Sequence, residues 1–162
     1  MLGIYQQLIP FDLTYDSAIL PKIKSKVIKI LTYYSVKFSD DFTGLIAPFF
    51  GLVNDQVSAG KFRAVKSNDR LIQNVVAYYK SLLAVNDVRQ KLAKNLAPLF
   101  EYLLLPNIEL CADDLETYEF EPETFVKEDL EETDQESRRR NCMQLVCALV
   151  KAFPDDSMSV LN

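Results

Sequence analysis

The chain has 162 residues, 49% of them hydrophobic and 25% charged, with a net charge of -5; this is the composition of one globular domain with ample core material, and it excludes wholesale disorder. Four Gly and seven Pro exclude collagen-like and Gly/Pro-rich classes, and the absence of His removes the commonest general base and metal ligand. No apolar run reaches the roughly 18 residues of a membrane span, and the first residues lack the basic-then-apolar pattern of a signal peptide.

In chain order, residues 1–17 hold Pro10 and little periodicity and read as a connector. From residue 18 apolar side chains recur in three- and four-residue steps, the signature of amphipathic helices. In 18–37 the stripe is Ile19, Leu20, Ile23, Val27, Ile30, Leu31 and Tyr34. In 43–57, after an expected cap in Ser39-Asp40-Asp41, it is Leu45, Ile46, Phe49, Phe50, Val53 and Val57. In 68–84 it is Leu71, Ile72, Val75, Val76, Tyr79, Leu82 and Leu83. In 87–105 it is Val88, Leu92, Leu96, Leu99, Phe100, Leu103 and Leu104, with Pro106-Asn107 expected to stop the helix. No segment alternates with period two for long enough to be a strand.

The four helices repeat. Tyr33-Tyr34 recurs as Tyr78-Tyr79, and Ala47-Pro48-Phe49-Phe50 as Ala97-Pro98-Leu99-Phe100. A helix-pair period of about 40–47 residues or slightly more is the HEAT/armadillo signature. Pro48 and Pro98 each fall inside a helical pattern, where proline either kinks the helix or marks the true start of a shorter one.

Residues 107–121 are non-periodic, and Glu121-Pro122-Glu123 opens a short helix with Phe125, Val126 and Leu130. Thr133-Asp134-Gln135-Glu136 reads as a capping box for a helix over 134–153, whose stripe is Cys142, Met143, Val146, Leu149, Val150 and Phe153. Pro154 ends it, and Asp155-Asp156-Ser157 caps something new that the chain does not complete, as in an excised piece of a longer protein.

The expected fold is therefore all-α: a right-handed α-solenoid of about three HEAT-type antiparallel helix pairs with an acidic insertion. Residues 18–106 supply two helix pairs, 107–133 the acidic insertion with its short helix, and 134–162 the first helix of a further repeat and the start of the next.

The charge is concentrated. Residues 113–136 carry 12 acidic side chains and one basic, whereas 1–112 carry 13 basic and 9 acidic. An acidic stretch suits a basic protein surface or plain solvation, not nucleic acid. Candidate partner-binding residues are Asp113, Asp114, Glu116, Glu119, Glu128 and Asp129, together with Arg138, Arg139 and Arg140. The three arginines oppose the dipole of their helix, so they are expected to pair locally with Asp134 and Glu136 or to reach the insertion or a partner carboxylate. No nucleophile or base accompanies the carboxylates, no EF-hand order is present, and Gly60-Lys61 lacks the lead of a phosphate loop. Cys111, Cys142 and Cys147 are an odd set without metal-ligand spacing and read as reduced packing residues. No catalytic residue, cofactor or metal is expected.

Residues 105–151 carry a further pattern: Leu105-Pro106-Asn107-Ile108-Glu109, an acidic run, Glu128-Asp129-Leu130-Glu131, Asp134 with Arg138-Arg139-Arg140, then Leu145-Val146 and Leu149. This resembles the importin-alpha re-exporters, the CAS-type exportins of the importin-beta (karyopherin) superfamily. The chain departs from them at Lys127-Glu128, where two arginines are usual, at Glu132 for glycine, Ser137 for threonine, Gln144 for aspartate, and Cys147-Ala148 for Arg-Gly. The resemblance implies a longer solenoid that binds importin-alpha and Ran-GTP, meets nuclear pore proteins, and shuttles between nucleus and cytoplasm without enzymatic activity. It implies that the second helices, 43–57 and 87–105, face Ran and cargo, and that the acidic insertion lies near Ran or braces a closed ring. The alternatives are a HEAT-repeat scaffold or regulatory subunit without Ran dependence, or another importin-beta-type import receptor. Neither nucleic acid nor membrane is an expected partner.

Overall fold

The computed structural model describes residues 19–62, 68–130 and 137–161, with Gln7 in addition. The elements among them are all helical: α1 (Ile19–Lys37), α2 (Ser39–Ser58), α3 (Asp69–Leu82), α4 (Asn86–Ala93), α5 (Leu96–Leu99), a π-helical stretch (Phe100–Leu104), α6 (Leu105–Ile108), α7 (Ala112–Phe120), α8 (Pro122–Leu130), α9 (Arg138–Ala152) and α10 (Pro154–Leu161).

They form two layers. In the first, α3 lies between α1 and α9; in the second, α2 packs on α4 and α5, and α10 packs on α5. Polar links one repeat apart set the register. Asn74 Nδ2 donates to Ser25 Oγ at 2.6 Å, and Ser25 Oγ donates to the Arg70 carbonyl at 3.3 Å, so the starts of α1 and α3 lie side by side. In the second layer Asn54 Nδ2 donates to Asn95 Oδ1 at 3.0 Å. Successive first helices therefore run parallel, and each intervening second helix returns antiparallel. Stacked helix pairs with their apolar stripes facing inward are the architecture expected from the periodicity.

The core runs continuously between the layers. It includes Val27, Ile28 and Leu31 of α1, Phe49, Phe50 and Val53 of α2, Ile72, Val75, Tyr78, Tyr79 and Leu82 of α3, and Leu92, Leu99, Phe100 and Leu103 of the second return helix. Helix α9 contributes Cys142, Leu145 and Leu149.

Several expectations need correction. Helix α2 begins at Ser39, with Phe38 alone between it and α1, so Ser39-Asp40-Asp41 form its first turn and Phe38 stands at the cap. Its far end closes on Gly60, whose φ of 62° is the left-handed conformation that glycine adopts without steric cost. The segment expected as one helix over 87–105 is broken at Lys94-Asn95, and Pro98 is the third residue of the restart. There its missing amide matters least, because the first-turn amides have no intrahelical acceptor. Pro48 lies within unbroken α2, so the two prolines act differently. Pro106 does not stop the helix. It sits in α6, which continues to Ile108 after the π-helical stretch has widened the preceding turn.

In α1 the buried set is Leu20, Lys24, Ser25, Val27, Ile28, Leu31 and Ser35, while Ile19, Ile23, Ile30 and Tyr34 of the expected stripe are exposed. Among the described residues α1 packs on α3 in its own layer and on α2 in the other, and the side turned away from both is exposed. In α9, Met143 is exposed and Leu145 is buried in its place.

The expected capping box, Thr133 to Glu136, lies outside the described residues. The described start of α9 is Arg138, and Ser137 is its cap: the Ser137 Oγ accepts the Arg140 amide at 3.1 Å. Ser137→Ala is expected to cost about 0.5–2 kcal/mol through loss of that bond. Urea denaturation measures it; a midpoint equal to the parent's would show that this hydroxyl does not hold the helix start.

Candidate interaction site at the acidic insertion

The insertion leaves the stack at the end of α6. Asn107 is fully buried there, and its Nδ2 donates to the Phe62 carbonyl at 2.9 Å and to the Leu103 carbonyl at 2.7 Å. It thus ties the second return helix to the segment that leaves α2. The backbone then extends through Glu109 to Cys111 and turns into α7. Asp114 sits in the first turn of α7, where a carboxylate suits the helix dipole, and its Oδ2 accepts the Cys111 amide at 2.8 Å.

Arg138 faces this turn. Its Nη2 lies 2.5 Å from Asp114 Oδ2 and 3.7 Å from Cys111 Sγ, and its Nε lies 3.8 Å from Asp69 Oδ1 at the head of α3. Three helix starts that are distant in sequence therefore meet at one guanidinium, whose residue is only 4% exposed. Desolvation opposes the charge of Asp114, but the Cys111 amide and Arg138 outweigh it and hold the carboxyl below its usual range. Desolvation likewise opposes the charge of Arg138, and Asp114 followed by Asp69 more than restores it. The neighbouring Cys142 thiol is pushed up to about 12, chiefly by burial, which leaves it inert.

The other candidates are distributed as follows. Arg139 Nε donates to the Ile108 carbonyl at 2.8 Å, so this arginine also serves the junction. Arg140 is half-buried beside it. Asp113 is half-buried, and its carbonyl accepts the Thr117 hydroxyl at 2.9 Å. Glu116 and Glu119 are exposed on α7. Glu128 and Asp129 belong to α8, but their side chains lie outside the described residues. The acidic and arginine clusters thus join at Asp114 and Arg138 through the Arg138 Nη2, and Glu116 and Glu119 are left facing solvent.

Sequence reasoning missed three features of this site. It left 112–120 as non-periodic, whereas α7 is a helix that buries none of its residues and so shows no stripe. It did not mark the arm's exposed apolar side chains, Leu115, Tyr118, Phe120 and Val126, with Tyr118 edge-on to Phe125 at 5.5 Å. It also passed over Asp69, for which no local signal exists. Among the described residues no group of His, Cys, Asp and Glu is arranged to hold a metal, and no helix is long and apolar enough to cross a membrane.

A family model described as Cse1 matches residues 2–162. The chain is 27% identical over 156 residues to Exportin-2 of Mus musculus, covering 94% of this chain and 16% of that protein. It is 24% identical over 136 residues to the Importin alpha re-exporter of Saccharomyces cerevisiae, covering 81% of this chain and 14% of that one. A solved structure described as the exportin Cse1 in its cargo-free, cytoplasmic state superposes with a TM-score of 0.86 at 18% identity, covering 99% of this chain and 18% of that chain. The chain spans about a sixth of the length of the curated relatives it matches.

Proposed function

The chain belongs to the Cse1 family, and from that premise we propose that it is a segment of a nuclear export receptor that returns importin-alpha to the cytoplasm together with Ran-GTP. The family match across residues 2–162 carries this reading. Relatives named Exportin-2 and Importin alpha re-exporter support it, as does the stack of helix pairs. The segment works as a docking wall, not as an enzyme, and the receptor passes between nucleus and cytoplasm by way of nuclear pore proteins.

On this reading the second layer, α2 and α4 to α6, faces Ran and cargo. The arm adds an acidic surface through Asp113, Glu116 and Glu119 of α7 and Glu128 and Asp129 of α8. Each exposed ion pair contributes only about 0–1 kcal/mol, so binding there needs several pairs at once and weakens with salt.

The test is capture of Ran locked in its GTP form by the receptor that carries this chain. Capture that depends on GTP is expected, and Glu116→Gln with Glu119→Gln should weaken it several-fold while flattening its dependence on salt. Absence of GTP-dependent capture would replace the export reading with a repeat scaffold. Unchanged affinity and salt dependence in the double variant would remove the arm from the interface.

A further inference from the structure

Among the described residues the α7–α8 arm has little apolar packing to hold it on the stack. None of the residues of α7 is buried, its large apolar side chains Leu115, Tyr118 and Phe120 are exposed, and it packs chiefly on α8. Polar contacts join the arm's base to the stack, Arg138 Nη2 on Asp114 Oδ2 and Arg139 Nε on the Ile108 carbonyl just ahead of the arm, where the Ile108 side chain packs against the core. The guanidinium is buried and stands between carboxylates of two other elements.

We propose that Arg138 is a positioning residue, a latch that seats the α7–α8 arm against the heads of α3 and α9 and so fixes where the arm's exposed carboxylates point. A charge removed from water persists only while it is paired, so the guanidinium and Asp114 hold each other in place. The cores of α1 and α3 do not depend on this pair, because they close through Ile28, Leu31, Ile72 and Val75. Loss of the pair therefore opens the arm locally and leaves the stack closed, which gives the segment a seated and a released position. A partner that grips the acidic face in one position alone would shift the balance between them. The proposal rests on the geometry of the chain and not on the export reading, so either can fail without the other.

Hydrogen exchange followed by mass spectrometry on the 162-residue chain tests it, with Asp114→Asn, Arg138→Met, their double variant, and Glu116→Gln as a control on the same helix. In Asp114→Asn the amides of 112–130 should exchange roughly tenfold faster or more, while those of α1 and α3 keep the parent's rates. Arg138→Met, which leaves Asp114 free to accept the Cys111 amide, should accelerate the same segment. The double variant should add little to either single change, because both remove one interaction. Glu116→Gln should match the parent. Unchanged arm exchange in Asp114→Asn, acceleration spread equally over α1, α3 and the arm, or additive single effects would each overturn the latch. Should Arg138→Met fail to fold, Arg138→Lys replaces it: it keeps the charge but loses the planar fork, and arm exchange equal to the parent's would equally overturn the proposal.

Discussion

Tyr79→Ala is expected to lower the stability of the chain by about 3–5 kcal/mol, whereas Tyr34→Ala, its counterpart one repeat earlier, should stay within about 1 kcal/mol. The two tyrosines share a sequence context, Tyr33-Tyr34 against Tyr78-Tyr79, and each lies on the first helix of its pair. Tyr79 is 0% exposed and Tyr34 is 42% exposed. The Tyr79 ring meets Phe50 of α2 edge-on at 6.2 Å and Tyr78 at 6.0 Å, and its hydroxyl donates to Asn54 Oδ1 at 3.5 Å. Asn54 in turn donates to Asn95 at the break between α4 and α5. Truncating Tyr79 removes a large ring from between two layers and cuts a polar chain that spans three elements. Tyr34 packs with Tyr33 and Phe38 on the outer side of α1, where water can fill the space it leaves. Urea denaturation of both variants measures the difference. Equal losses would mean that the outer side of α1 is as closely covered as α3, and the layered arrangement would be wrong.

Asn107→Asp should cost about 3–5 kcal/mol at neutral pH, with Asn107→Leu milder at about 1–3 kcal/mol. Asn107 is fully buried and spends its amide on the Phe62 and Leu103 carbonyls, while its Oδ1 has no partner among the described residues. Leucine removes both donated bonds but also the unpaired oxygen, so part of the loss is recovered. Aspartate keeps the shape, loses the donors, and turns a charged oxygen toward two carbonyls. Such a carboxyl titrates above its ordinary value in the folded chain. Its penalty therefore grows as pH rises through and beyond the ordinary aspartate range, and shrinks as pH falls below it. Thermal melts of Asn107→Asp across acidic to neutral pH check the sign. A melting temperature that does not recover on acidification, relative to the parent, would show that Asn107 is not a buried donor.

The acid arm and the arginine run were both legible as charge, but their relation was not. Asp114 looks like any of the 12 carboxylates in 113–136, and Arg138 like the first of three equal arginines. Only the approach of α7 to the heads of α3 and α9 singles out this pair, and only that approach recruits Asp69. Pro106-Asn107 has the local look of a helix stop, whereas the Asn107 amide bonds a carbonyl 45 residues away.

The amino-acid order alone determines that this chain is helical, that its helices come in pairs at a period near 45 residues, and that one stretch is strongly acidic. Those features are local: a stripe every three or four residues can be buried only by a helix, and charge is counted where it stands. Which copy of a repeated stripe is buried, where a return helix breaks, and which arginine faces a carboxylate are decided by neighbours one repeat distant. Burial belongs to pairs of surfaces that meet only after the helices have stacked, and so it has no signature within either segment.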